Sequence, residues 1–338
     1  MKTVYILGAG FSCDAGLPLS YDFLDRMENV RPLYQLGKTP PSLNVPMDEL
    51  FLFRSQRDKL FDKSLINNVE FWLSLVSARS LGNVATRGFN KYKMQIAIAQ
   101  TIAYYVDIAT QSVKTSYVIS FVKNVVKYGD QLITLNYDDL IERACDQVVK
   151  PYKYGFVGQV IGGAFKVDMS NYNEQMLDVN ENISSIPIYK LHGSYNWMTK
   201  QEDVQVISDM QRFFANQEFW TTNEWTRYGF VIEPPTIDKI YSGHILTRVW
   251  NRTFESLVSA SHIVVIGYSF PENDGYVKYL LMASLADNNF LKDVTIVDPY
   301  CDDAYAARIK WLLDLLDAKK VSVRFCQKTA IQWVQEQT

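Results

Sequence analysis

The sequence predicts an α/β protein, a doubly wound parallel sheet carrying a helical insertion, on three observations. Apolar runs rich in Val and Ile recur along the chain, among them "VYIL", "HIVVI" and "VTIV". Continuous rather than alternating runs of this length are how strands buried on both faces read. In the last third these runs alternate with stretches of helical length, which implies a parallel sheet with helices on both faces. The stretch 31–127 separates the first run from the next and carries mainly helical periodicity. The arrangement is Rossmann-like, with 1–30 and 128–338 as the core and 31–127 as the insertion.

Taken in order, Val4 to Leu7 is the first strand, ended by glycine. "SCDAGLPLSYDFLDRM" supplies a helix start with Gly and Pro near its first turn. Residues 31–63 carry the Pro-rich patch "GKTPPSLNVP" and read as a loop-rich excursion. From 64 to 127 the pattern is helical, clearest in "YKMQIAIAQTIAYYVDIA". "DQLITLNYD" reads as strand then loop, "DLIERACDQVV" as helix, and "IPIYKLHGS" as strand then loop. Residues 151–186 and 196–240 are aromatic and polar with weak periodicity, so irregular segments with short strands are expected there. The end is regular: helix 245–260, strand "HIVVIGYS", helix 275–287, strand "DVTIVDP", helix 303–317, strand "KVSVRF" and a closing helix.

Apolar residues make up 48% of the 338 and charged residues 21%, a balance that favours a folded core over disorder. The net charge is −3 with no long basic run. This argues against nucleic acid as a partner, since phosphate binding needs clustered Lys and Arg. No uncharged apolar stretch reaches the roughly 18 residues of a membrane span. The first apolar run is too short for a signal peptide, so a cytoplasmic location is expected. Cys13, Cys145, Cys301 and Cys326 never form CxxC. They make neither a zinc cluster nor a disulfide framework, and no metal is expected.

The residues that carry chemistry stand where strands end. In "ILGAGFSCDAGLP", residues 6–18, a glycine turn lets backbone approach a pyrophosphate, and the next helix N-terminus offers free N–H groups. A tight turn without a ligand reads the same way. The spacing also departs from the dehydrogenase GxGxxG, since Gly8 and Gly10 are followed by Gly16. "TLNYDDL", residues 134–140, puts Asn136 and Asp138 after a strand; the Asn136 carboxamide both donates and accepts, and either residue could instead cap a helix. "KLHGS", residues 190–194, places His192 on a loop beside Gly193. His262 begins a strand and His244 precedes a helix, so His192 is the candidate general base among three histidines. "VVIGYSFPENDGYVKYLL", residues 264–281, is a strand, a Gly-Tyr-Ser turn and a helix. "VTIVDP", residues 294–299, ends on Asp298, which can hold a ribose or cap a helix starting at 302.

In this order GAGxSxxxGLP, TxNYD, HG, GYS and VDP together resemble the sirtuin family, over roughly 1–25 and 130–325. The resemblance implies NAD as substrate, with Gly8, Ala9, Gly10 and Ser12 at its phosphates and Gly16 and Pro18 in the same cofactor-binding motif. It implies Gly267 and Ser269 beside a ribose and Asp298 in the same pocket. It sets Asn136, Asp138 and His192 beside the glycosidic bond. Protein-deacylating sirtuins carry two CxxC pairs for zinc, and this chain has none. They continue the first motif as Gly-Ile-Pro-Asp-Phe-Arg, where this chain has Gly16-Leu17-Pro18-Leu19-Ser20-Tyr21, and "FVIEPPTIDK", residues 230–239, stands near the place of their peptide clamp. The pattern is similar to the zinc-less bacterial sirtuin-like group, NAD-depleting effectors of antiviral defence. An NAD glycohydrolase is therefore implied, with a protein deacylase or a non-catalytic NAD- or ADP-ribose-binding module as alternatives.

An enzyme that empties a cell of NAD has to be restrained, so a homo-oligomer and a separate regulatory or sensor protein are the expected partners. The apolar face of Ile96, Ile98, Ile102, Tyr104, Tyr105 and Ile108 is expected to serve assembly and control rather than the nucleotide site. Packing of that face on the core is the alternative. A side chain added at Gly10 is expected to obstruct the phosphates more than the fold.

Overall fold

Among the described residues, seven parallel strands form the main sheet, in the order Ser322–Cys326, Asp293–Val297, His262–Ile266, Thr3–Leu7, Gln131–Thr134, Ile186–Lys190, Tyr152–Lys153. The computed structural model describes residues 2–34, 40–81, 90–156, 159–161, 185–200, 203–233, 244–272 and 274–338. The strands are β1 (Thr3–Leu7), β2 (Gln131–Thr134), β3 (Tyr152–Lys153), β4 (Gln159–Ile161), β5 (Ile186–Lys190), β6 (Gly193–Lys200), β7 (Asp203–Ile207), β8 (Gly229–Ile232), β9 (His262–Ile266), β10 (Asp293–Val297) and β11 (Ser322–Cys326). β1 lies mid-sheet between β2 and β9. Val4 to Leu7 are buried without a break, which is why the run is apolar at every position rather than at every second one. At the edge, β11 is mostly exposed and carries the polar Ser322 and Arg324.

The helices before β2 are α1 (Ala9–Cys13), α2 (Phe23–Val30), α3 (Pro41–Ser55), α4 (Lys63–Ile66), α5 (Val69–Leu81), α6 (Lys91–Thr110) and α7 (Ser116–Ser120). The helix expected from Ser12 onward is split. α1 starts earlier, at Ala9, and a turn with Gly16 at φ +98° separates it from α2. The loop expected over 31–63 is largely helix: a 3₁₀ turn at Arg31–Tyr34, then α3. Pro41 at the first helical position suits a helix start, but Pro46 sits inside. An interior proline costs about 3 kcal/mol. Leu43, Met47, Leu50 and Phe53 are buried on the same helix, and each contributes about 1.5–3 kcal/mol. Burial wins over propensity.

α6 runs for twenty residues without Gly or Pro, and Asn90 caps it by accepting the Lys93 N–H. Every residue from Met94 to Ala103 is buried, because α2, α3, α5, α9 (Met210–Phe214), β6 and β8 pack around it. The apolar face read as an assembly surface is thus covered by this chain's own elements: Ile96, Ile98 and Ile102 are buried, Tyr104 and Tyr105 pack against the core, and Ile108 is exposed.

After β2 come α8 (Leu140–Gln147), α9, α10 (Gln217–Thr221), α11 (His244–Val258), α12 (Gly275–Asp287), α13 (Asp303–Arg308), α14 (Lys310–Ala318) and α15 (Ala330–Gln337). The single helix expected over 303–317 breaks at the buried Ile309, where ψ turns to +15°. The expected irregular stretch contains a second sheet in the order β4-β7-β6-β8, with β6 antiparallel to β7 and β8. Residues 162–184, and the part of "FVIEPPTIDK" beyond Glu233, lie outside the described residues. No helix among the described residues is long and apolar enough to cross a membrane.

Candidate active site

The strand-end motifs stand in one row at the carboxyl edge of the sheet, joined by backbone hydrogen bonds that continue the ladder past the strands. Leu191 N–H donates to Thr134 O, Leu135 N–H to Leu7 O, Gly8 N–H to Ile266 O, Gly267 N–H to Val297 O and Asp298 N–H to Cys326 O. Six segments far apart in sequence become neighbours, at the edge where open α/β sheets place their ligands.

The glycines of this row pack against one another. A Cβ at Gly8 would stand 2.5 Å from Gly267 O, and one at Gly10 would stand 2.8 Å from Gly267 Cα. Gly267 itself has φ +63° and would meet Phe11 N at 2.4 Å. The expectation that a side chain at Gly10 would act chiefly on a ligand is corrected here: its Cβ direction points into the Gly267 backbone. Gly193 is tighter still, with φ +78° and Val231 O only 1.9 Å from a Cβ.

Beside this seam a chain of buried polar groups forms. Asn136 Nδ2 donates to Gly8 O at 2.9 Å and to Ser12 Oγ at 3.0 Å. The Ser12 hydroxyl in turn favours the charged form of the Asp138 carboxyl. The Asn136 Oδ1 atom is buried with no hydrogen-bond partner. An orphaned acceptor of this kind costs free energy in the folded state and marks a position that a donor from a ligand or water would fill. Burial pushes the Asp138 carboxyl up, opposed by the Lys190 ammonium and by bonds from Ser12 and Leu140 N–H. Lys190, itself buried, pairs with Glu142 at 3.2 Å and donates to Asp138 O.

Asn136, Tyr137 and Asp138 line a small cleft of about 70 Å³ with Ala9, Ser12, Leu17, Pro18, Val69, Glu70 and Ile102. Val69 and Glu70 come from α5 and Ile102 from α6. The helical stretch therefore supplies a wall of the cleft, contrary to the expectation that it stands apart from the site.

His192 is not among the cleft's lining residues. It is 3% exposed, and its Nε2 lies 3.3 Å from Asp274 Oδ2. Tyr268 donates to the same oxygen at 2.8 Å. Tyr137 lines the cleft next to Asn136, and its ring centroid lies 6.2 Å from that of His192. Burial holds the Tyr137 hydroxyl far above its usual range, helped by the carboxylates of Glu70, Asp274 and Glu233. Ser269 is exposed. Asp298 Oδ1 accepts Tyr300 N–H at 2.9 Å, and Asp302, not Asp298, caps α13. Likewise Asp138 accepts Leu140 N–H at 3.2 Å, just ahead of α8.

Four contributors were missed in the sequence. Asp274 and Tyr268 lie within the "GYSFPENDGY" turn, where an Asp ahead of a helix reads as a cap. Glu70 lies in the helical stretch, and Lys190 precedes the His-Gly pair as an ordinary charged residue. Among the described residues, no group of three or more His, Cys, Asp or Glu is arranged to hold a metal ion.

The row of strand ends and the polar chain beside it stand on a doubly wound α/β fold. The chain belongs to the SIR2-like domain family, which matches residues 130–312. No curated protein matches the sequence. Among solved structures it is similar to a Sir2 in complex with the inhibitor EX-527, 2'-O-acetyl-ADP-ribose and a deacetylated p53 peptide, at 11% identity and a TM-score of 0.40, over 99% of this chain and 91% of that one. It is also similar to a mutant Sir2 homologue in complex with ADP-ribose, at 13% identity and a TM-score of 0.37, over 100% and 90% of the two chains.

Proposed function

We propose that the chain is an NAD glycohydrolase, cleaving NAD to nicotinamide and ADP-ribose, and that it acts as an NAD-depleting effector of antiphage defence. The observation that carries the reading is the Asn136 carboxamide, which is buried at the cleft, held by Gly8 and Ser12, and left with an unpartnered oxygen. An attacking water or a ribose hydroxyl donates to that oxygen. Membership of the SIR2-like family supports NAD as the substrate.

Nicotinamide leaves a cationic ring as a neutral molecule, so no general acid is needed. Departure builds positive character on the ribose. The water's oxygen bonds to the anomeric carbon as the bond to the nicotinamide nitrogen breaks, and His192 accepts a proton from that water or from a ribose hydroxyl. Asp138 anchors Ser12 and through it the Asn136 amide. Gly8, Ala9, Gly10 and Ser12 serve the phosphates, with Gly16 and Pro18 in the same cofactor-binding motif, Gly267 and Ser269 beside a ribose, and Asp298 in the same pocket. A cytoplasmic setting, self-association and a restraining partner protein complete the proposal, on surfaces other than the covered face of α6.

Incubation of the purified protein with NAD, with and without an acylated peptide, is expected to release nicotinamide and ADP-ribose in both cases. Peptide-dependent release would make it a deacylase. Tight NAD binding without turnover would make it a binding module. Chelators are expected to leave fold and turnover unchanged.

A further inference from the structure

We infer that Asp274 is the positioning residue for His192: it holds the imidazole in place and meets the charge that the ring acquires on taking a proton. The inference rests on the reading of His192 as the base. Asp274 stands at the start of α12 yet makes no side-chain cap bond to that helix. Its carboxylate turns inward, 3.3 Å from His192 Nε2. Asp274 and His192 are each 3% exposed, and a carboxylate this deeply buried persists only when donors satisfy it. Tyr268 OH supplies one donor at 2.8 Å. His192 Nε2 supplies another when it carries a proton, and that requirement selects the tautomer as well as the ring orientation.

The turn that brings these groups together is unusual backbone. Gly267 and Phe270 both have positive φ, +63° and +50°. Between them Tyr268 is pinned from behind, since its carbonyl accepts the Tyr305 hydroxyl at 2.7 Å. Other elements also face His192. Tyr137 approaches from the end of β2, and Glu233, after β8, donates its N–H to His192 O at 2.9 Å. Trp250 of α11 holds the neighbouring Leu191 carbonyl. Glu70 of α5 bears electrostatically on both Tyr137 and Tyr268. Of the charged groups around the ring, Asp274 has its oxygen at the imidazole nitrogen. When water attacks the ribose and its proton moves to His192, the resulting imidazolium already faces this carboxylate, and no group has to reorganise.

The test is histidine titration by NMR on the full chain, which has three histidines to assign, alongside nicotinamide release from NAD. In Asp274→Asn the titration midpoint of His192 is expected to fall by at least about one pH unit, a tenfold change in acidity. The kcat for NAD should fall about 10²-fold with KM little changed, and its acidic limb should move to lower pH. Asp274→Glu should restore part of both. An unchanged His192 midpoint in folded Asp274→Asn overturns the inference, even if NAD is cleaved. A shifted midpoint in a protein that releases no nicotinamide upholds the pairing and defeats the glycohydrolase reading. Should Asp274→Asn fail to fold, Tyr268→Phe serves instead. It removes a competing donor from the carboxylate and should raise the His192 midpoint; no movement there overturns the inference.

Discussion

The glycine seam and the polar chain beside it occupy the same edge of the sheet and obey opposite rules. At Gly8, Gly10, Gly193 and Gly267 backbone meets backbone so closely that a single carbon has no room. At Asn136, Asp138, His192 and Asp274 the interior holds polar atoms, and Asn136 Oδ1 has no partner. The seam is arranged for the fold, and the polar chain accepts a cost to the fold. Motifs that look alike in sequence thus divide into residues that bring strand ends together and residues that act on what binds there.

The largest effect should come from the seam. Gly193→Ala sets a Cβ 1.9 Å from Val231 O at a φ of +78° and is expected to cost more than about 4 kcal/mol. Cooperative thermal unfolding should disappear, and a melting point within a few degrees of the parent would break the comparison. Next, Asn136→Ala and His192→Ala should each slow NAD cleavage by about 10²-fold or more while the unfolding transition survives. Near-normal turnover in either folded variant would remove that residue from the chemistry.

Asp138→Asn separates cost from function. Burial raises the folded-state pKa of this carboxyl, so the native state holds its proton more tightly than the unfolded chain does. Stability from this group is therefore highest below the ordinary carboxylate range, and it is lost as pH rises through that range toward the raised value. The neutral amide should raise the melting point near neutral pH, with the gain closing as pH falls, while NAD cleavage drops. A pH-independent difference would show that charge burial is not the cause. The smallest effect should be at Gly16, which has φ +98° but open space around a Cβ. Gly16→Ala should cost about 1 kcal/mol by denaturant unfolding, and a loss as severe as at Gly193 would mean that the turn is packed in a way the glycine contacts do not show.

Much of the sheet was legible because buried parallel strands announce themselves as unbroken apolar runs, and the strand-end motifs could be read in order. α3 was not legible: three prolines outvote a helix locally, and only contacts with distant elements reverse the vote. The face of α6 misled for the same reason. A helix that is apolar nearly all round must be covered, but the sequence does not say by what, and the answer is this chain's own helices and second sheet.

What the sequence determined by itself were local matters: where strands end, which turns need glycine, and that Asn136, Asp138 and His192 follow strands. Those properties follow from backbone sterics and periodicity, which act over a few residues. Tertiary structure decided what each of those groups faces. It gave Gly10 a backbone neighbour instead of open space, brought Glu70 from the helical stretch into the cleft, and set Asp274 against His192 across 82 residues of chain. Pairing across that separation depends on strand order and on how a turn bends, and no local pattern encodes either.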